Sequence, residues 1–287
     1  MQLLRQSEEN YGYILTKPNR PRAIIFVPTK ELTEQVGTIA KELSHTTKLS
    51  VLVLSNEHKF KWEAERLAEG VDIIVTNVAR FSRHLQKKTI FSSGIEYMVF
   101  DEADCILDGG NIELMAEFCR IVVNEGTIES RGFGCRLFLV SATLNNTLKE
   151  FIEGLFGSDE SKQKNFKYLI DKGTHLNLAH VQHEFIKLTE FDKHQQFLDL
   201  VDTVNADLKA ADSQMKTPER AGKSATCMIF CNTIGSCRST EFLLKKKGYE
   251  SMSMHGDVPA KVRVQNYHRF NNGEVKYAVC TDIGSRG

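Results

Sequence analysis

The chain has 287 residues, of which 41% are hydrophobic and 26% charged, a balance typical of a globular protein with room for two domains. Lysine plus arginine and aspartate plus glutamate each number 37, so the net charge is zero and any nucleic-acid contact must depend on a local basic surface. No apolar run could span a bilayer and residues 1–6 lack a signal-peptide pattern, which excludes a membrane partner. The seven cysteines form no C-x-x-C pair, which indicates reduced thiols in a reducing compartment.

Short β-branched runs alternate with helical patterns through the first part of the chain. The predicted strands lie at 22–27, 50–54, 72–76, 95–101, 135–141 and 166–170. Helices are predicted at 31–43, from the spacing of its apolar residues, and at about 59–69, where the helix is highly charged. This alternation favours right-handed crossovers and an α/β fold, with a mainly parallel sheet flanked by helices.

A second unit repeats the same pattern after a predicted hinge at 171–174. Its strands are predicted at 181–188, 227–231, 250–254 and 277–280, and its helices at 193–204, 235–247 and 260–270. Residues 205–225 are polar and contain a proline and a glycine, which predicts a surface insertion. We therefore expect two domains, 1–172 and 173–287. Both domains are expected to be incomplete. The second stops just after a strand, and the chain is therefore interpreted as a fragment.

Acidic residues follow the strand predicted at 95–101. Asp101, Glu102 and Asp104 would project from the carboxyl edge of a parallel sheet, where open α/β folds bind their ligands. A strand-end aspartate holds Mg²⁺ in P-loop NTPases, and a neighbouring acid can orient the attacking water. The alternative is a helix that begins here with acids in its first turn, which the helix dipole favours.

Small hydroxyl residues follow other strands. Thr29 could cap a helix, whose first backbone N–H groups could also bind a phosphate. Ser141 and Thr143 could hydrogen-bond the carboxylates at 101–104. The glycines and hydroxyls of 281–287 suit a close approach to phosphate, and Arg286 adds positive charge. Taken singly, each of these segments is also explained by ordinary capping or by a plain turn.

Together, the order and spacing of these motifs resemble the DEAD-box RNA helicases, a superfamily 2 group with two RecA-like domains. The matching segments are 28–35, 101–104, 141–143, 229–233, 255–263 and 281–287. Three of them differ from the family pattern at one residue each, which is Lys30 for arginine, Ala260 for glutamine and Ser285 for alanine. The likeness extends over essentially the whole chain and implies two RecA-like domains.

Other family motifs are altered or missing. Residues 76–80 are one residue longer than the family's T-P-G-R, and the charged helix near 57–69 replaces a glycine pair. The chain has no G-x-x-x-x-G-K-[ST], whose lysine and N–H groups bind the β- and γ-phosphates. The family's H-R-x-G-R-x-x-R motif is also missing. We therefore expect the 287 residues by themselves to be inactive as an ATPase.

The resemblance implies ATP and Mg²⁺ as cofactors. Asp101 would hold a hydrated Mg²⁺, and Glu102 would orient and deprotonate the attacking water, so that both residues contact the bound nucleotide. Asp104, Ser141 and Thr143 would couple the nucleotide state to domain closure. RNA would be held through its phosphates and 2′-hydroxyls, and the candidates for that surface are Thr29, Glu31, Thr76, Arg80, Asn232, Thr281 and Arg286.

By the same resemblance, the intact protein would be an ATP-dependent RNA helicase that unwinds short duplexes or remodels RNA–protein complexes. Residues 180–185 and 255–264 look most like organellar members that assist ribosome assembly, which favours ribosomal RNA as the partner and a mitochondrion or plastid over the cytoplasm or nucleolus. One alternative is a complete, non-catalytic RNA-binding or scaffold protein derived from a helicase. A DNA helicase is disfavoured by the D-E-A-D and P-T-x-E-L elements taken together.

Overall fold

The computed structural model describes residues 1–11, 16–55, 58–125, 135–156, 167–170, 181–187, 192–214 and 224–281. The chain divides into two compact units, Met1–Leu178 and Ala179–Gly287. Each unit contains its own sheet, and every pair of neighbouring strands in either sheet is parallel. The predicted α/β fold with mainly parallel sheets is therefore confirmed.

The first unit is built around a five-stranded sheet. Its strands are β1 (Ala23–Phe26), β2 (Val51–Leu54), β3 (Ile73–Thr76), β4 (Tyr97–Phe100) and β5 (Arg136–Leu139). They lie in the order β2-β3-β1-β4-β5. The helices are α1 (Gln2–Tyr11), α2 (Lys30–Thr47), α3 (Phe60–Ala68), α4 (Val78–Gln86), α5 (Ala103–Ile106), α6 (Ile112–Glu125) and α7 (Asn146–Phe156). A 3₁₀ turn spans Ser92–Gly94 and a π-helical turn spans Leu107–Asn111.

Apolar side chains from the central strands and the flanking helices form the core of this unit. Phe26 of β1 stacks on Phe100 of β4, with ring centroids 4.7 Å apart, and on Phe118 of α6 at 5.7 Å. The edge of Phe81 of α4 meets the Phe26 ring at 5.1 Å. Strands buried in this way read as continuous apolar runs, which is why the sequence predicts them well.

The second unit has a three-stranded sheet in the order β6-β8-β7. Its strands are β6 (Cys227–Phe230), β7 (Ser251–Met254) and β8 (Tyr277–Cys280), and its helices are α8 (Lys193–Gln214), α9 (Ile234–Lys246) and α10 (Ala260–Asn271). Helix α8 runs through residues 205–214, where a surface insertion was predicted, so that part of the prediction is wrong. The reason is that Val201 and Leu208, seven residues apart, are both buried and hold one face of α8 on the core, while its polar face meets solvent.

Two predicted strands are absent from the described residues. Residues 167–170 and 181–187 belong to neither sheet, and their apolar side chains are largely exposed, with Leu169 at 85% and Phe185 at 94%. Alternating apolar residues favour a strand only where a neighbouring strand can pair with the backbone, and no strand of the described chain does so here. The predicted hinge at 171–174 lies outside the described residues.

The strand order of the first unit brings five chain segments to one edge of its sheet. Because all the strands are parallel, the residues that follow them lie at the carboxyl edge, in the same order as the strands. Along this edge come the start of α3 after β2, the start of α4 after β3, the start of α2 after β1, the turn at 101–102 after β4 and the loop at 140–145 after β5. No helix among the described residues is both long and apolar enough to cross a membrane.

Candidate functional site

Asp101 and Glu102 form a turn, called here the acid turn, between β4 and the short helix α5. The backbone N–H of Asp101 donates to the carbonyl of Phe26 at 2.9 Å, and that of Ala103 donates to the carbonyl of Val140 at 2.9 Å. These bonds fix the turn between the end of β1 and the loop after β5. Both acidic residues are half-buried, so their carboxylates are held in place at the carboxyl edge with access to solvent.

Glu102 adopts the left-handed backbone conformation, with φ 53° and ψ 49°. This region costs an L-residue about 1–2 kcal/mol relative to the right-handed helix, and glycine is the residue that adopts it freely. Glu102 precedes α5, but its side chain makes no capping hydrogen bond, so helix capping does not explain the acid at this position. Strained backbone of this kind is concentrated at functional sites.

Asp104 is tied to the loop that follows β5. The hydroxyl of Thr143 donates a hydrogen bond to Oδ2 of Asp104, and the backbone N–H of Cys105 donates to Oδ1 at 2.9 Å. The Ser141 hydroxyl donates to the carbonyl of Thr143 at 2.7 Å and thereby stabilises the loop. The predicted contact between these hydroxyl residues and the carboxylates at 101–104 is thus present for Thr143 and Asp104.

Two opposing effects set the pKa of Asp104. Partial burial raises the pKa of this carboxyl, but hydrogen bonds from the Thr143 hydroxyl and from the Cys105 N–H outweigh burial and lower the pKa below the ordinary value of 3.8. The carboxylate is therefore charged at neutral pH. A charged acceptor strengthens the bond to Thr143 and so couples the acid turn to the loop at 140–145.

The acid turn has the chemistry that Mg²⁺ requires. Within the described ranges, no group of three or more His, Cys, Asp or Glu side chains could hold a metal ion alone. Mg²⁺ is usually bound by one or two carboxylates, several waters and the phosphates of a substrate, and not by a cage of protein ligands. One half-buried carboxylate at an open sheet edge, that of Asp101, fits this mode of binding.

Thr29 and Glu31 lie beside the acid turn, at the start of α2. The Thr29 side chain caps the helix by accepting the Leu32 N–H at 3.2 Å, as one of its two predicted roles requires. Glu31 is half-buried in the first turn of the same helix. The start of α2 follows β1, the strand next to β4, so these residues are neighbours of the acid turn along the edge.

Thr76 and Arg80 lie further along the edge, and both side chains are occupied by the protein itself. The Thr76 hydroxyl is fully buried and donates to the carbonyl of Leu54 at 3.1 Å. Arg80 is 8% exposed, and its guanidinium donates to Oε2 of Glu63 from Nε at 3.0 Å and from Nη2 at 2.5 Å. In this arrangement, a direct contact of either side chain with RNA would require it to leave these partners.

Sequence reasoning did not find the group around Glu63. This carboxylate is fully buried in α3, and Nε2 of His84 in α4 lies 3.0 Å from the oxygen that also binds Arg80. An acid within a charged helix gives no signal of burial. Asn77 was also missed, although an asparagine directly after a strand is typical of a helix N-cap, and its Oδ1 accepts the Arg80 N–H at 2.8 Å.

The second unit brings two of its candidate residues to one sheet edge. Asn232 follows β6 and is exposed, and Thr281 follows β8 and is half-buried. The two strands are neighbours, and the N–H of Cys231 donates to the carbonyl of Cys280 at 2.8 Å, so the residues that follow emerge side by side. Arg286 lies outside the described residues.

Two family models match the chain. The model described as DEAD/DEAH box helicase matches residues 3–151, and the model described as helicase conserved C-terminal domain matches residues 213–287. The first match contains the acid turn and the loop with Thr143. The second contains Asn232 and Thr281.

Named relatives agree with these matches. The chain is 28% identical over 289 residues to DEAD-box ATP-dependent RNA helicase 39 of Arabidopsis thaliana, covering 100% of the chain and 43% of that protein. It is 24% identical over 269 residues to the ATP-dependent RNA helicase DbpA of Bacillus subtilis, covering 94% of the chain and 49% of that protein. The chain therefore spans about half the length of these curated relatives.

A solved structure shares the fold. The DEAD-box helicase Mss116, solved bound to single-stranded RNA and UDP-BeF, matches with a TM-score of 0.70 at 20% sequence identity. The match covers 100% of the chain and 54% of that structure.

Proposed function

Because the chain belongs to the DEAD/DEAH box helicase family, we propose that it is part of an ATP-dependent RNA helicase, to which it contributes the magnesium- and water-handling acids and part of the RNA surface. The observation that carries the proposal is the acid turn, held at the carboxyl edge by hydrogen bonds to Phe26 and Val140. A half-buried pair of carboxylates at this edge, with strained backbone at Glu102, suits phosphoryl transfer better than it suits helix stability.

The proposed roles in ATP hydrolysis rest on the resemblance to the family, and the geometry of the acid turn supports them. Asp101 would hold a hydrated Mg²⁺, which would supply positive charge to neutralise the phosphates. Glu102 accepts a proton from the attacking water and orients it. Asp104, Ser141 and Thr143 form a hydrogen-bonded link, through which a shift of the acid turn moves the loop at 140–145 and biases a two-state change of conformation.

We propose RNA contacts at the carboxyl edge of the sheet in each unit. RNA is held there through phosphates and 2′-hydroxyls, by residues that follow the strands. We assign direct contacts to Thr29, Glu31, Asn232, Thr281 and Arg286. Thr76 and Arg80 lie at the same edge, and the bonds of their buried side chains support a role in positioning the start of α4 against the RNA. We also propose that residues 1–172 form one domain of the helicase and that residues 173–287 form the other.

Two finer proposals concern the biological setting. The likeness of residues 180–185 and 255–264 to organellar members of the family supports a role in ribosome assembly or RNA processing, with ribosomal RNA as the substrate. The same likeness supports location in a mitochondrion or plastid.

The proposed activity is tested on the protein expressed from the full open reading frame that encodes this chain. We expect this reading frame to encode a G-x-x-x-x-G-K-[ST] loop. We expect the protein to hydrolyse ATP faster when single-stranded RNA is added. Glu102→Gln should lower that rate by roughly 10²–10⁴-fold, the usual effect of removing a general base. Glu9→Gln, on the exposed face of α1, is the matched control and should leave the rate unchanged. A Glu102→Gln protein as fast as the wild type would overturn the proposed role.

A second candidate function is supported by one feature of the sequence. The 287 residues contain no G-x-x-x-x-G-K-[ST] loop. A polypeptide without this loop could serve as a non-catalytic RNA-binding protein. The unsubstituted D-E-A-D and S-A-T motifs, with their hydrogen bond between Asp104 and Thr143, favour the helicase instead.

A further inference from the structure

An exposed pair of rings lies at the start of α3, with His58 just before the N-cap residue and Trp62 in the first turn, and it is called here the stacking pair. The imidazole of His58 and the indole of Trp62 have their centroids 4.1 Å apart, with 34° between their planes. Trp62 remains 40% exposed and His58 is also exposed. Even within a helix, a side-chain pair four residues apart contributes only about 0.2–0.5 kcal/mol, and His58 lies before the first helical residue, Phe60. Helix stability is therefore a weak reason for an exposed tryptophan here.

Cationic residues lie next to the stacking pair in the sequence. Lys59 occupies the N-cap position of α3 without making a side-chain cap, and Lys61 lies in the first turn with its side chain 89% exposed. The helix dipole favours acids at this end, so cations here oppose helix stability and suit an external anion. Lys61 is 4.0 Å from Glu65, an exposed pair of the kind that is easily broken. On the adjoining face, Arg83 lies 5.3 Å from the Phe60 ring centroid.

The position of the stacking pair connects it with the proposed RNA surface. Helix α3 follows β2, the strand at the end of the five-stranded sheet, so its first turn lies at the carboxyl edge. The start of α4 with Asn77 and the start of α2 with Thr29 come next along this edge, before the acid turn. Helices α3 and α4 are tied together by the buried bonds between Glu63 and Arg80, which fixes the stacking pair relative to the rest of the edge.

We propose that Trp62 and His58 stack against an unpaired base of single-stranded RNA, while Lys59 and Lys61 hold the neighbouring phosphates. An aromatic surface flanked by cations is the usual way of binding single strands without reading their sequence, because every base has a flat face. The proposal rests on the proposed RNA-binding function and adds to it a contact with bases, at the end of the carboxyl edge farthest from β5.

The chain offers a direct probe of this contact, because Trp62 is its only tryptophan. Its fluorescence should be quenched when the 287-residue protein is titrated with a single-stranded oligoadenylate of about ten nucleotides, a length within the usual site size for such binding. An abasic oligomer of the same length, with the same phosphates but no bases, should bind more weakly and leave the fluorescence nearly unchanged.

Substitutions separate stacking from a general effect on binding. Trp62→Ala should weaken binding of labelled oligoadenylate about tenfold by fluorescence anisotropy, the loss expected for one stacked base. Trp62→Phe keeps a flat ring and should recover most of the affinity. The matched control is Phe91→Ala, which removes another exposed aromatic ring with a cation, Arg20, 4.9 Å from its centroid. Phe91 lies at the opposite, amino edge of the sheet, so this change should leave the affinity unchanged.

The outcomes distinguish this proposal from the function on which it rests. If the protein binds oligoadenylate but Trp62 is not quenched and Trp62→Ala binds as tightly as Phe91→Ala, the stacking proposal is overturned and RNA binding stands. Equal affinity for the abasic oligomer overturns it as well. If the wild-type protein binds no RNA, both proposals fail. Circular dichroism of each variant confirms that it is folded.

Discussion

Asp104 shows how one side chain connects two loops of the carboxyl edge. Its carboxylate accepts the Thr143 hydroxyl and the Cys105 N–H, and these bonds stabilise the charged form more than partial burial disfavours it. The pKa of Asp104 is lower in the folded protein than the ordinary value of 3.8. The stabilisation it provides is therefore complete above that value and is lost as the pH falls through the lower pKa of the folded state.

The valine substitution Thr143→Val removes the hydroxyl donor while keeping the shape of the side chain. We expect the pKa of Asp104 to rise toward 3.8, because burial then acts against fewer hydrogen bonds. The measurement is a pH titration of the Asp104 carboxyl carbon by NMR. Thr46→Val, which removes a hydroxyl bonded to the backbone of α2 far along the chain, should leave this pKa unchanged. An unchanged pKa in Thr143→Val would contradict the proposed link between the two loops.

At the scale of elements, α3 and α4 are joined by a buried charge pair. Glu63 of α3 is fully buried and binds the guanidinium of Arg80, which is 8% exposed, and it also lies beside His84. The Arg80 guanidinium is 5.6 Å from the Phe60 ring centroid, and this ring stacks on His84 at 4.3 Å. These contacts fix the two helix starts that follow β2 and β3.

Breaking this pair should be costly. Glu63→Leu leaves the Arg80 guanidinium buried without a counter-charge, and we expect a loss of about 3–5 kcal/mol in the free energy of unfolding. The matched control is Glu69→Leu at the C-cap of the same helix, which breaks the exposed pair with Arg66 and should cost no more than about 1 kcal/mol. Urea denaturation followed by circular dichroism measures both. Equal losses for the two variants would show that the buried pair does not tie the helices.

The elements also show how far the sequence determines the fold. The buried strands β1 to β4 were predicted because their apolar runs are continuous, and β5 was predicted as well although its side chains alternate between exposed and half-buried. Helices α4, α6 and α7 were not predicted, although Val78 and Phe81 of α4 have helical spacing and are buried. The strands predicted at 166–170 and 181–188 were wrong within the described residues, since periodicity defines the faces of a strand but not whether a partner strand exists.

The site residues that directly follow strands were predictable from the sequence. The contacts that arise from packing between helices were not. The acid turn and the Thr143 contact follow from the residues after β4 and β5, because parallel strands share a carboxyl edge. The partners of Arg80 could not be foreseen, because nothing local distinguishes buried Glu63 from the exposed acids of the same helix. Similarly, the sequence does not show that Thr76 points into the protein.

For the whole molecule, the relevant fact is what these 287 residues contain and lack. They hold the acid turn, but no lysine-bearing loop of the G-x-x-x-x-G-K-[ST] type. Phosphoryl transfer depends on positioning and charge neutralisation, and the loss of one preorganised donor lowers rates by roughly 10²–10³-fold. A polypeptide without the whole loop lacks several such groups at once.

We therefore expect the purified 287-residue polypeptide to show no ATP hydrolysis that RNA stimulates. The measurement compares its phosphate release, with and without single-stranded RNA, with that of the Glu102→Gln variant prepared in parallel. Both should give the same background. A reproducible rate above the Glu102→Gln background would mean that other groups of this chain bind the phosphates.

The left-handed backbone of Glu102 makes this residue a point of conflict for protein engineering. Glycine there would relieve the local penalty of about 1–2 kcal/mol, so a selection for heat resistance alone would tend to enrich Glu102→Gly. These more stable variants would lack the carboxylate that we propose orients the attacking water molecule. Efforts to make this protein more robust should therefore leave position 102 untouched and search the helices instead.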